Sequence, residues 1–195
     1  MTNLRDIKDF KDLVNVPNLN EQVIDDFRAN GGRVGGLYEG APIILVHHVG
    51  AKAGTKRVSP VMYFPQEDGG MVIVTSDQGA PANPAWYHNL KANPRTDVEA
   101  GAETFPVVVE EITGEQRDAV WAGILAMAPS LGEFQEMTSR TIPLLRKGAA
   151  SPAEDSPSPV GGKQPMAIIG PVMRPPAGMA VAGYWLAATG TLALL

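Results

Sequence analysis

"HHVGAKAGTKRVSPVMYF", residues 47–64, is the stretch from which the fold can be worked out. The apolar, β-branched run from Ile43 to Val49 leads into it, and the run from Arg57 to Phe64 that leaves it alternates apolar and polar residues. Both patterns are typical of β-strands. Glycines at positions 50 and 54 allow a tight turn between the two runs. We therefore predict two neighbouring strands joined by a short loop.

Short runs elsewhere predict further strands. The turn residues Glu67 to Gly70 precede one of them. The predicted strands are Met71 to Thr75, Thr96 to Ala100, Thr104 to Ile112 and Ile142 to Leu145.

Capping signals predict helices before and between these strands. Asn20 is a candidate N-cap, and Asn83 followed by Pro84 marks a second helix start. Thr113, with Gln116 three residues later, resembles a capping box. The predicted helices cover Asn3 to Val14, Asn20 to Gly31, Ala85 to Ala92, Thr113 to about Met127 and Glu133 to Ser139. This irregular order predicts an α+β fold with a mainly antiparallel sheet or barrel.

Composition narrows the class of protein. The 195 residues are 44% hydrophobic, which is enough for one domain with a core, and the net charge of −5 argues against a general nucleic-acid binder. The absence of cysteine excludes disulfides, a thiolate nucleophile and cysteine-ligated metals. The N-terminal residues lack the apolar region of a secretory signal, so we expect a cytoplasmic protein.

Three regions are predicted along the chain: an N-terminal helical extension (1–19), a main domain (20–146) and a tail (147–195). The tail is rich in Pro, Ala, Ser and Gly up to residue 176, and uncharged and moderately apolar from 177 to 195. Three interpretations stay open for that end: a loose or packed tail, a membrane anchor with peripheral membrane association, and an appendage without a selected role. The oligomeric state is left open.

Positive charge is concentrated in the loop between the first two strands. No Asp or Glu lies between Glu39 and Glu67, whereas Lys52, Lys56 and Arg57 lie within that window. Backbone N–H groups of glycine-bearing loops bind anions, and lysine and arginine add charge and forked donors. An anion site and an ordinary solvated hairpin loop both fit this composition. A P-loop does not fit, because a strand follows the basic residues.

The second informative stretch is "SDQGAPANPAWYHNL", residues 76–90. It connects a predicted strand to a predicted helix, and its small residues leave room for a ligand at a helix start. An ordinary strand-to-helix connection, with Trp86 and Leu90 as core residues, is the alternative. His47 and His48 are adjacent in a predicted strand, so their side chains are expected on opposite faces, a poor arrangement for a metal pair.

Together, Val49-Gly-Ala-Lys-Ala-Gly-Thr-Lys-Arg57 and the 76–90 stretch resemble the deazaflavin-dependent nitroreductase family, also described as deazaflavin-dependent quinone reductases of actinobacteria. "MVIVT", "NLKANPRTDVEAG" and "TSRTIPLL" match as well, so the resemblance covers about residues 20–145. It implies a split β-barrel with flanking helices and the deazaflavin coenzyme F420, which carries a phosphate and an oligoglutamate tail. It also implies hydride transfer from the reduced cofactor to a quinone or another electron-poor acceptor, without a metal.

The resemblance also implies roles for single residues. Lys52 and Arg57 would hold the phosphate and the acidic tail. Ala51 and Asp77 replace residues that are usually basic in the family, so Lys56 is expected to assist. The remaining candidates are Gly50 and Gly54 for backbone access, Pro60, Val74, Ser76 and Asn89 near the ring and its linker, Leu131 and Phe134 in the substrate region, and Ser76, Tyr63 or solvent as proton donor.

Two other functions stay open at this point. One is a non-catalytic deazaflavin or flavin carrier on the same barrel. The other is an FMN- or FAD-dependent oxidase.

Overall fold

The computed structural model describes residues 4–7 and 16–148, with Gly148 described for its backbone alone. Six strands form one closed barrel in the order β1-β2-β3-β6-β5-β4, and every neighbouring pair is antiparallel. The strands are β1 (Ile43–Val49), β2 (Lys56–Pro65), β3 (Met71–Val74), β4 (Arg95–Ala100), β5 (Glu103–Ile112) and β6 (Leu144–Gly148). The predicted α+β class with an antiparallel barrel is confirmed.

Within the described residues, four α-helices accompany the barrel: α1 (Leu19–Ala29), α2 (Ala85–Ala92), α3 (Gly114–Met127) and α4 (Ser130–Glu136). Short 3₁₀ turns lie at Leu4–Asp6, Gly36–Tyr38 and Asp77–Gly79. The first of these turns falls within the helix predicted for Asn3 to Val14; residues 3 and 8–14 of that prediction lie outside the described residues. The predicted tail, apart from its first two residues, also lies outside them.

Alternation along the strands separates two apolar clusters. The inner cluster has members on all six strands and is closed at one end by Trp86 and Leu90 of α2. The outer cluster lies between the other face of the barrel and α1, α3 and α4. On β1, for example, Ile44 and Val46 belong to the inner cluster, whereas Ile43 and Leu45 belong to the outer one. The barrel interior is thus a packed core, and the helices cover a second one.

Several predicted capping interactions are wrong, because the side chains concerned make another contact or no capping bond. Helix α1 begins one residue before Asn20, whose buried side-chain oxygen has no partner among the described residues. Helix α2 begins at Ala85 with Pro84 as its N-cap, since the side-chain oxygen of Asn83 accepts a hydrogen bond from Arg140 instead. Thr113 occupies the N-cap of α3, but its side chain makes no capping bond.

The C-terminal elements are also displaced from their predicted positions. Helix α4 begins at Ser130, three residues before the predicted start. Strand β6 begins at Leu144, because the Ile142 N–H is bound by the side chain of Gln135 and Pro143 has no N–H to donate.

Candidate functional site

The basic hairpin (residues 50–57) connects β1 to β2 and has internal hydrogen bonds of its own. The Gly50 N–H donates to the Thr55 carbonyl and the Gly54 N–H donates to the Gly50 carbonyl, both over 2.8 Å. Gly54 has a φ of +66°, in the region that only glycine adopts easily. Lys52 is exposed at the tip. The loop therefore has a defined shape and presents its positive charge to solvent.

Alternation along β2 directs its two basic residues to different faces. Lys56 pairs with Val49 and Arg57 pairs with His48. Arg57 continues the row of Ser59 and Val61, which leads into the inner cluster. Both basic side chains are exposed, so they project from opposite sides of one strand end.

Asn89 of α2 joins the basic hairpin to the 76–90 stretch. Its side-chain oxygen accepts a hydrogen bond from the Ala51 N–H over 2.9 Å. Asn93, just after α2, donates to the Val49 carbonyl over 3.4 Å. The two stretches singled out in the sequence therefore meet in space, through the residue predicted to lie near the cofactor.

The two adjacent histidines lie on opposite faces, as predicted. His48 is 5% exposed and lies within hydrogen-bond distance of Asn89 (3.0 Å) and Ser59 (3.0 Å). Burial, and then the charges of Arg57 and His47, lower the pKa of His48 to about 4. His47 contacts Glu99 on the other face, at 2.8 Å. In residues 4–7 and 16–148, no group of three or more His, Asp or Glu is arranged to hold a metal ion.

The turn after β3 has an unusual backbone. Asp77 and Gln78 have φ values of +47° and +51°, and Gly79 follows at +76°. Two consecutive non-glycine residues in the left-handed region are energetically costly, and such costs concentrate at functional sites. A Cβ on Gly79 would lie 2.8 Å from the Phe134 carbonyl oxygen and 2.7 Å from the Met137 Cβ. Helix α4 is therefore packed directly onto this turn.

Arg140 holds the segment that contains this turn, a role that sequence reasoning missed. Its guanidinium donates to four acceptors in residues 75–83: the carbonyls of Thr75 (3.1 Å), Ser76 (2.6 Å) and Ala80 (2.9 Å), and the side chain of Asn83 (2.6 Å). Desolvation lowers the pKa of Arg140, against the charge of nearby Asp77. The available signal was the single arginine within the matching segment "TSRTIPLL".

The other predicted residues divide between the two faces of the barrel. Pro60 pairs with Leu45 on the outer face, which Val74, Leu131 and Phe134 share. Tyr63 packs against the inner cluster, so the structure does not bring it together with Pro60 and Val74.

Burial separates the predicted residues further. Leu131 and Ser76 are fully buried, and Phe134 is 8% exposed. A cavity of about 20 Å³, lined by residues of the inner cluster together with Arg146 and Lys147, is too small for a ring-shaped cofactor.

The donors present suit a multiply anionic cofactor. Exposed lysine and arginine side chains on a loop of defined shape match the chemistry of phosphate and carboxylate groups. Fold and site together define a split β-barrel with a basic, glycine-bearing hairpin at one end. The family model described as F420H(2)-dependent quinone reductase matches residues 20–147. The chain belongs to this family: it is an F420H(2)-dependent reductase, and coenzyme F420 is its cofactor.

Relatives of this chain carry the same description. It is 34% identical to the F420H(2)-dependent quinone reductase Rv1261c of Mycobacterium tuberculosis (strain ATCC 25618 / H37Rv) over 123 residues, which are 61% of this chain and 82% of that protein. It is 28% identical to the putative F420H(2)-dependent quinone reductase Rv3178 of the same strain, over 56% of this chain and 92% of that protein. A solved structure described as an F420-H2 dependent reductase (FDR-A) is 37% identical, with a TM-score of 0.49 over 55% of this chain and 94% of that one.

Proposed function

We propose that this reductase transfers a hydride from reduced F420 to a quinone-like or similarly electron-poor acceptor. The observation that carries the proposal is the hydrogen bond from the Ala51 N–H to Asn89, which joins the basic hairpin to the 76–90 stretch. An anion held by the hairpin then lies beside the helix that closes the barrel. The cofactor supplies the hydride chemistry, and the protein binds, orients and shields it.

In this proposal the hairpin binds the cofactor's anionic groups. Lys52 and Arg57 hold the phosphate and the acidic tail, and Lys56 adds charge from the other face of β2. Gly50 and Gly54 keep the backbone approachable. Because Ala51 and Asp77 contribute no positive charge here, these three cations hold the tail.

The ring and its linker are assigned to the region of Pro60, Val74, Ser76 and Asn89. Pro60 and Val74 lie on the outer face, whereas Asn89 contacts His48, which continues the inner-face row of Ile44 and Val46 on β1. Phe134 and Leu131 of α4 belong to the same outer cluster, so they shape the acceptor side mainly through packing. Burial raises the pKa of Tyr63, which therefore stays protonated at neutral pH; Ser76, Tyr63 and solvent remain the candidate proton donors.

Cofactor titration tests this function directly. F420 and FMN are added separately, and the melting temperature and tryptophan fluorescence are recorded, since Trp86 lies on α2, the helix that contacts the hairpin through Asn89. We expect a large shift with F420 and a small one with FMN. A large shift with FMN alone would favour the FMN-dependent oxidase. Binding of F420 without steady turnover of its reduced form with menadione would favour the carrier.

Charge variants test the assignment of the hairpin. Lys52→Ala and Arg57→Ala are each expected to weaken F420 binding about tenfold or more. Arg33→Ala is the matched control. It removes an exposed cation beside Gly32, which packs on Gly101 at the opposite end of β4 from the hairpin. Equal affinities in all three variants would contradict the assignment.

The division of the chain and any membrane contact are proposed on sequence grounds. We assign cofactor binding to residues 20–146 and propose that the C-terminal region makes a peripheral membrane contact. Among the residues that the structure describes, no helix is both long and apolar enough to cross a bilayer. Deletion of residues 149–195, which leaves β6 intact, followed by membrane fractionation tests this contact.

A further inference from the structure

The orientation of the Asn89 side chain is fixed by its partners. A side-chain amide has one accepting end and one donating end, and which end points where follows from the neighbours. The backbone N–H of Ala51 can only donate, so the atom 2.9 Å from it must be the Asn89 oxygen. The Asn89 NH₂ group is then directed at Nδ1 of His48, 3.0 Å away.

This orientation determines the state of His48. Because the Asn89 NH₂ donates, Nδ1 of His48 must accept and carries no proton. The single ring proton is then on Nε2, which donates to Oγ of Ser59 over 3.0 Å. An imidazolium would direct a second N–H at the NH₂ group, so the ring is held in one neutral tautomer.

The side chains of Ser59, His48 and Asn89 are each 4–8% exposed, so water does not readily replace the missing partner of any one of them. The chain of contacts starts on β2, crosses β1 and α2, and ends on the backbone of the residue that precedes Lys52. Two backbone hydrogen bonds shape the hairpin itself, and the Ala51 N–H bond attaches it to the rest of the fold.

We propose that His48 is a positioning residue: with Ser59 and Asn89 it forms a buried relay that fixes the Asn89 amide and so holds the basic hairpin in its anion-binding geometry. The last step rests on the proposed function. In this proposal His48 acts on the hairpin through Asn89. The two stretches that resemble the family, residues 49–57 and 76–90, do not reveal this role, because His48 lies outside both stretches.

Long-range ¹H–¹⁵N correlation spectra of the labelled full-length chain test the relay without any variant. At neutral pH we expect the His48 ring to be neutral with its proton on Nε2. Protonation on Nδ1, or an imidazolium, would overturn the proposal. The same samples give the amide exchange rate of Ala51, which should be slow.

A set of variants separates positioning from simple packing. His48→Leu removes the acceptor for Asn89, and we expect faster exchange at the Ala51 amide and about tenfold weaker F420 binding. His48→Asn keeps an acceptor at the place of Nδ1, so it should restore most of the slow exchange of the Ala51 amide and most of the F420 affinity. His47→Leu, one residue away on the opposite face, is the control and should change neither.

The outcomes distinguish the two proposals. Unchanged Ala51 exchange in His48→Leu would overturn the relay. If that variant does not fold, Ser59→Ala tests the relay from its other end, and an unaltered His48 ring spectrum there would overturn it. Failure of the unmodified protein to bind F420, with the expected tautomer and a protected Ala51 amide, would overturn the proposed function alone.

Discussion

The Arg140 guanidinium donates a hydrogen bond of 2.6 Å to the side-chain oxygen of Asn83, a residue 57 positions earlier in the chain. This bond takes the oxygen that would otherwise cap α2. The remaining N–H groups of Arg140 bind carbonyls of the same segment. One side chain near the C-terminal end of the barrel domain therefore sets the shape of the turn between β3 and α2.

Arg140→Leu should be strongly destabilising, and Arg140→Lys should recover only part of the loss. Leucine removes the donor that binds three carbonyls and the Asn83 side chain, and a lysine ammonium cannot reproduce the planar fork of the guanidinium. We expect a loss of about 2–4 kcal/mol for the leucine variant in urea denaturation. Arg146→Leu is the control, because Arg146 forms an exposed pair with Glu110 and should cost less than about 1 kcal/mol. Similar losses of unfolding free energy at both positions would contradict the role of Arg140 in stabilising residues 75–83.

Gly79→Ala should cost more than Gly69→Ala. Both glycines have a positive φ, +76° and +80°, so both substitutions carry about 1–2 kcal/mol of backbone cost. A Cβ at Gly69 would meet nothing within 4 Å, whereas at Gly79 it would meet Phe134 and Met137. We expect at least about 1 kcal/mol of additional loss at Gly79 in chemical denaturation. Equal losses would place α4 farther from the turn than the structure does.

Stability should fall in mildly acid solution because of His48. Its pKa is about 4 in the folded protein against 6.5 in the unfolded chain, so the unfolded state binds more protons between these values. The contribution of the neutral His48 ring to the free energy of unfolding is therefore complete above pH 6.5 and is lost as the pH falls toward 4. At neutral pH this contribution is of the order of 3 kcal/mol.

Unfolding free energies of the unmodified chain and of His48→Asn, measured from pH 4 to pH 7, check this prediction. The difference between the two proteins should grow with pH across that window. Asp26 and Glu99, whose pKa values are lowered, are present in both proteins and cancel in the comparison. A difference that does not vary with pH would contradict the assignment to His48.

Lys56 and Arg57 should contribute additively to F420 affinity. Their side chains leave β2 on opposite faces, so they are expected to contact different parts of the anion. In a double-mutant cycle of Lys56→Ala and Arg57→Ala, the coupling should stay below about 0.5 kcal/mol. Dissociation constants from tryptophan fluorescence supply the four values. A larger coupling would mean that both cations hold one and the same group.

The sequence predictions are most accurate where the signals that define an element lie within a few residues of one another. The bounds of β1 and of α2 came out as predicted, because alternation, glycine spacing and the run before the second Asn-Pro are signals within a few residues. The placement of β6 between β3 and β5 has no such signal, since it depends on pairing between distant segments. The same holds for Arg140 and for the His48 relay, because most of their hydrogen bonds join residues that are 38 to 65 positions apart in the chain. The contact between His48 and Ser59 is the exception. Asn20 shows the converse: a good local cap signal that tertiary packing overrides.

The barrel closes at β1 and β4 through only two residue pairs, Leu45 with Glu99 and Val46 with Val98. The flanking bonds of Glu99, to Arg28 and His47, reinforce this junction. If it opened on heating, two strand edges with unpaired N–H and C=O groups would become templates for other copies of the chain. Substitutions that strengthen this junction are therefore expected to reduce aggregation on heating.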